Sequence, residues 1–181
     1  MQAIFLVLLA AFCITEKIIV IRCIKNGSVG KIRYIVTPTV LFLCFLLALY
    51  MARISIPYAV LLLSIATVFL HTFVGLFLDY YRRSKIFDRY LHGFGSFSFA
   101  LVLYITLAKV TQQGGSAFFR AVFVAAPGIA AGTVFEIMEF THDSKSKIKM
   151  QWGLKDTNFD LLCNIVGSVA AALLSTFVYL Q

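Results

Sequence analysis

The sequence predicts an all-α fold, a polytopic membrane helical bundle of six transmembrane helices, and three observations predict it. Mean hydropathy is +0.92, with 61% hydrophobic and only 13% charged residues, which lies outside the range of soluble globular chains. Six stretches reach or approach the roughly 20 apolar residues that a spanning helix needs. Lysine and arginine gather at alternate connections between those stretches, as they do where charge sets topology. Spans and short connections use nearly the whole length, so residues 1–181 read as a single integral membrane domain.

Span one covers approximately residues 2–22. Its start, MQAIFLVLLAAFC, could pass for a signal peptide, but it lacks a basic n-region, and Phe12 before Cys13 spoils a lipoprotein-type cleavage site. The apolar run resumes at Ile18 after Glu16-Lys17, and the segment reads as a retained span. Span two, 35–52, and span three, 57–79, each open on a proline (Pro38, Pro57) in the first helical turn, where a missing N–H costs nothing. Span four, 90–110, ends at the polar, flexible run Gln112-Gln113-Gly114-Gly115-Ser116. Span five, 118–140, contains Pro127, expected to kink it, and span six, 157–180, follows an Asp156-Thr157 cap. Tyr34, Tyr50, Tyr58, Tyr80, Tyr81, Tyr90 and Tyr179 fall near span ends, as an interfacial belt would.

Orientation follows from the basic residues. Connections 1–2, 3–4 and 5–6, with the flanking turn of the first helix, hold thirteen of the sixteen: Lys17, Arg22, Lys25, Lys31, Arg33, Arg82, Arg83, Lys85, Arg89, Lys145, Lys147, Lys149 and Lys155. Arg53, Lys109 and Arg120 lie on the other side. These three connections are therefore expected in the cytoplasm and both termini outside, in the plasma membrane of a bacterium. The net charge of +8 is read as topology and lipid contact, with membrane lipids as partners and no nucleic acid. Cys13, Cys23, Cys44 and Cys163 form no CxxC pair and read as buried free thiols.

All eight acidic residues fall at the same set of span ends as the basic connections. Residues three, four, seven or eight apart share a helix face. On that rule span three carries Thr67, His71, Gly75 and Asp79, and span four carries Asp88, His92, Gly95 and Ser96. Span five carries Gly128, Gly132, Glu136 and Glu139, and span six Asp156, Asp160, Asn164, Gly167 and Ala171. Small residues let membrane helices approach closely, so these faces are expected to meet. Spans three to six then form a core around a cytoplasm-facing polar pocket, with spans one and two outside it. The bland alternatives are that Asp79, Asp88 and Asp143 pair with basic neighbours at the surface, that Asp156 only caps, and that Glu139 reaches the headgroups.

Ionisable groups within spans mark function by default. Imidazole with carboxylates suits zinc, iron or manganese. Glu136, Glu139, His92, Asp156 and Asp160 are the expected ligands of a divalent metal ion. Glu136, Asp160 and His92 are the catalytic candidates, with His71, Asn164, Asp88 and Arg89 lining the pocket. Glu139-Phe-Thr-His142 has the Glu-x-x-His spacing of bundle di-iron proteins, but occurs once, and no HExxH is present. Asp156-x3-Asp160 matches half of the CDP-alcohol phosphotransferase motif, whose remainder is absent. The expectation is a metal-assisted enzyme or binder acting on a lipid or small amphiphile. The rivals are a proton- or cation-coupled transporter titrating Glu136 and His71, and a structural protein without catalysis. The polar stripes thin out beyond His71 and Asn164, which favours a one-sided pocket over a pathway.

The motifs His71-x3-Gly75, Phe87-Asp88-Arg89-x2-His92, Glu136-x2-Glu139 and Gln151-x-Gly153-x2-Asp156-Thr157-x2-Asp160-x3-Asn164-x2-Gly167 resemble the YjdF-type bacterial inner-membrane proteins. The resemblance covers roughly residues 60–175 and departs from that family's pattern at Glu139-Phe140 and Gln151-Trp152-Gly153. It implies a compact helical bacterial membrane protein with a cytoplasmic-side polar site. A more distant VanZ-like relation would imply an envelope or antibiotic-resistance role.

Overall fold

A computed structural model describes residues 2–111, 116–145 and 151–177, and every long element in them is a helix. The predicted linker at Gln112–Gly115 and the basic residues Lys147 and Lys149 lie outside the described residues, as does Tyr179. Six helices are long and apolar enough to cross a membrane. They divide into two compact units, residues 1–83 and 84–181, with three spans each.

In the first unit, α1 (Gln2–Lys25) buries Phe5, Phe12, Glu16, Ile19 and Cys23, a stripe at helical spacing. Gly27, at φ +68°, reverses the chain, and Ser28 N–H closes onto the Cys23 carbonyl at 2.8 Å. After a 3-10 turn at Val29–Lys31, α2 runs over Ile32–Met51. It starts earlier than predicted, so Pro38 lies inside the helix rather than in its first turn and removes one ladder bond. Pro57 caps α3 (Tyr58–Phe69), which passes into a π-helical segment at Leu70–Phe77 and then α4 (Tyr80–Arg83).

Span three is thus not one α-helix over 57–79. Within the first unit it packs with spans one and two. Its inward residues already have partners in its own unit: Thr72 bonds Glu16, and a Cβ at Gly75 would overlap the Tyr81 ring. Asp79 pairs with Lys31 at 2.6 Å, as its basic surroundings suggest. Tyr34 and Tyr81 are buried rather than interfacial, whereas Tyr50 and Tyr90 are well exposed. Among the cysteines, Cys23 is buried but Cys44 is exposed, against expectation.

The second unit consists of α5 (Lys85–Thr111), α6 (Ala117–Lys145) and α7 (Leu154–Phe177), each packed on the other two. α6 runs unbroken through Pro127. Glycines set the spacing: a Cβ at Gly132 would overlap the Asn164 carboxamide, one at Gly128 would overlap Ser168, and one at Gly167 would meet the Gly93 carbonyl. Gly153, at φ +100°, turns the chain into α7, which therefore begins at Leu154. Asp156 is then in the first turn rather than at the cap. It still satisfies the helix end, accepting the Trp152 N–H at 3.2 Å. Away from the packed face, α7 exposes Leu162, Val166 and Leu173, apolar side chains suited to lipid.

Candidate functional site

Three helix ends meet in the second unit: the starts of α5 and α7 and the last turns of α6. The buried face of α6 reads Val124, Gly128, Gly132, Glu136, Glu139, Asp143, so its small residues become acids as the helix nears this end. α7 presents Asp156, Asp160 and Asn164 at four-residue intervals, and α5 presents Asp88 and His92. Each is at least nine-tenths buried: Asp88 4%, His92 7%, Glu136 3%, Glu139 3%, Asp156 4%, Asp160 2% and Asn164 1% exposed.

His92 is the hub. Its Nδ1 lies 3.2 Å from Asn164 Oδ1, which also accepts the Ser96 hydroxyl at 2.8 Å. With Asn164 Oδ1 as the acceptor, Nδ1 carries the proton and Nε2 is left facing the acids. Nε2 stands 3.1 Å from Glu136 Oε1 and 3.6 Å from Asp88 Oδ1. The Phe135 ring packs edge-on at 5.6 Å and fixes the imidazole plane. Three groups of possible ligand atoms each fall within 4.8 Å: Asp88, His92 and Glu139; His92, Glu136 and Asp160; Asp88, Asp156 and Asp160. The groups share members, so they describe one continuous centre.

Some of its oxygens are satisfied. Gln151 donates to Glu136 Oε2 at 2.9 Å and through its backbone N–H to Asp143 Oδ2 at 2.9 Å. Others are not: Asp88 Oδ1, Glu136 Oε1, Glu139 Oε1 and Asp160 Oδ1 are buried without a hydrogen-bond partner. Arg89 approaches Asp156 Oδ1 only to 3.6 Å and stacks on Phe159 at 4.3 Å. The carboxyl groups of Asp88, Glu136, Glu139, Asp156 and Asp160 thus gather around the His92 imidazole, with Arg89 at their edge. Burying a charged carboxylate without a partner costs several kcal/mol, which sets the unpartnered oxygens apart from the satisfied ones.

Of the residues singled out in the sequence, His92, Glu136, Glu139, Asp156, Asp160, Asn164 and Asp88 come together here, with Arg89 at the edge. His71 belongs to the first unit, where its Nδ1 meets the Tyr81 hydroxyl at 2.5 Å. Asp88 is not a surface ion pair, because α5 starts at Lys85 and turns it inward. Asp143 is likewise buried, since α6 extends through Lys145 and Gln151 folds back onto it. Glu139 stays inside instead of reaching headgroups. Sequence reasoning gave Gln151 no role, although its place in the quoted motif was a usable signal. It also passed over Glu16, which is 5% exposed and accepts hydroxyls from Thr72 and Thr39 at 2.5 and 3.3 Å.

A protein of Thermotoga maritima described as uncharacterized is 31% identical over 119 residues, covering 65% of this chain and 62% of that protein, so the match spans less than two thirds of its length. No solved structure matches. The family described as predicted membrane protein (DUF2238) matches residues 1–181, end to end. The chain belongs to this DUF2238 family, that of the YjdF-type proteins its motifs resemble.

Proposed function

We propose that the second unit binds one or two divalent cations between α5, α6 and α7, and uses them on a lipid or small amphiphile. The observation that carries this is the set of four buried, unpartnered carboxylate oxygens arranged around His92 Nε2. Carboxylates with a single imidazole match manganese, iron, magnesium or zinc better than a thiolate-seeking ion. A cation at Asp88, His92 and Glu139, and another at Glu136 and Asp160, would neutralise the excess charge and polarise a substrate oxygen or activate water. Gln151 and Asn164 would orient the ligands from behind. Position favours an amphiphile, since the site lies at the ends of apolar helices.

Purified full-length protein, analysed for bound metal beside Glu136→Gln and Asp160→Asn, tests the reading. Metal is expected in the parent and reduced or lost in both variants. A parent that takes up no manganese, iron, magnesium or zinc on titration refutes it.

The basic connections support a bacterial plasma-membrane location, with the site on the cytoplasmic side and both termini outside. Alkaline phosphatase fused after Gln181 is then active, and the same enzyme fused after Lys147 is not. The reverse pattern would invert the topology and turn the site outward. A VanZ-like envelope role would follow only if an envelope lipid proves to be the ligand.

A further inference from the structure

We infer that the ligand of this centre is an amphiphile with a phosphate monoester head, and that Arg89 binds that head; the inference rests on the divalent-cation reading above. Arg89 Nε is buried and makes no hydrogen bond among the described residues. The guanidinium is held in place all the same, over the Phe159 ring at 4.3 Å and 3.6 Å from Asp156 Oδ1. One turn earlier on the same face, Lys85 lies over the exposed Trp152 ring at 4.9 Å.

This edge therefore carries positive charge on an aromatic shelf, directly beside acids whose buried oxygens have no hydrogen-bond partner among the described residues. Two unmet needs adjoin: the carboxylate oxygens of Asp88 and Asp160 require positive charge, and the Arg89 edge requires an acceptor. A metal-bound phosphate meets both, because one terminal oxygen can bind the cation while two others take the guanidinium fork. A monoester has three such oxygens and the greater charge, whereas a choline-capped diester has two and brings a competing cation. The exposed Trp152, Leu154 and Phe159 side chains would take the first part of the acyl chain.

The test uses full-length protein in uncharged detergent, titrated calorimetrically with inorganic phosphate, short-chain phosphatidic acid or short-chain phosphatidylcholine, with and without manganese. Phosphatidic acid is expected to bind about tenfold or more tighter than phosphatidylcholine, and tighter with manganese than without. Arg89→Gln and Arg89→Lys should each lose about tenfold or more in that affinity, with manganese stoichiometry and thermal stability retained, because lysine keeps charge but not the fork. Lys85→Gln removes the same charge from the exposed ring and should shift affinity by no more than about threefold. Wild-type-like binding of phosphatidic acid by Arg89→Gln overturns the assignment, as does equal binding of phosphatidylcholine. Inorganic phosphate binding as tightly as the lipid overturns the amphiphile. If neither manganese nor iron, magnesium or zinc binds, the earlier reading fails alone, since metal-free, Arg89-dependent selectivity for phosphatidic acid still supports the phosphate head.

Discussion

Glu16 and Glu136 are buried to nearly the same degree, 5% and 3% exposed, yet they sit in opposite circumstances. In the first unit, Glu16 receives a hydroxyl on each oxygen, from Thr72 and Thr39. In the second unit, Glu136 has one oxygen satisfied by Gln151 and turns the other toward His92, with Asp160 in the same cluster. Burial alone therefore does not identify a site. The first environment is closed, a carboxylate provided for by its own neighbours, whereas the second leaves buried acceptors without a hydrogen-bond partner among the described residues.

The largest expected effect separates the two directly. Glu139→Gln should stabilise chelator-treated protein, by several kcal/mol at most, because it replaces one of the crowded buried carboxyl groups with a neutral amide. In manganese-loaded protein the same change should lower the unfolding temperature, because a ligand is lost. Glu16→Gln should show no such reversal of sign. Thermal unfolding in detergent, run with and without metal, checks this, and equal shifts for Glu139→Gln in both states would break the contrast.

Next in size is Asn164→Ala. It removes the acceptor that holds His92 Nδ1 and the Ser96 hydroxyl, and loss of such an orienting partner lowers metal affinity by about 10–100-fold. Thr39→Val, which touches only the closed environment, should leave metal affinity unchanged. Competition with a fluorescent chelator measures both.

Helix packing gives a third, smaller effect. Gly167→Ala forces a methyl against the Gly93 carbonyl, backbone that cannot rotate aside, and should destabilise by about 1–3 kcal/mol. Gly128→Ala meets the Ser168 and Ala100 side chains, of which the serine can turn, and should cost less. Denaturation of the two variants side by side gives the order.

Much of the second unit was legible in the sequence because its spacing is regular. Asp156, Asp160, Asn164, Gly167 and Ala171 recur at three- and four-residue steps, and the structure buries all five on one face. The change from small to acidic residues along one face of α6 was readable for the same reason. The first unit was harder. The stripe of Thr67, His71, Gly75 and Asp79 assumed an α-helix where the chain is π-helical over Leu70–Phe77. Nothing in that run, which contains no proline, announces the change of period. Periodicity also shows which residues share a face but not which helix they face. Gly75 looked like a docking point for another span, and its space is taken by Tyr81, six residues on. Gln151 was missed for a different reason: its role depends on a return of the chain onto α6, which no helical period encodes, so only its place in the motif pointed to it.

The smallest effect is expected at Glu16, where the closed environment can be tested for what closes it. Thr72 Oγ1 lies 2.9 Å from the Val68 carbonyl as well as 2.5 Å from Glu16, and Thr39 Oγ1 lies 2.8 Å from the Ile35 carbonyl. Each hydroxyl has one proton and at least one carbonyl of its own helix within reach besides Glu16, so neither depends on Glu16 for a partner. Glu16→Gln lets the new amide N–H donate to Thr72 while that hydroxyl bonds its own helix, and the change should cost under about 1 kcal/mol. Thr72→Val is the harsher change, because it strips one Glu16 oxygen of its donor in a buried setting, at about 1–3 kcal/mol or more. If Glu16→Gln instead proved the more damaging of the two, the charge itself would matter in the first unit, and the closed environment would have to be reclassed with the open one.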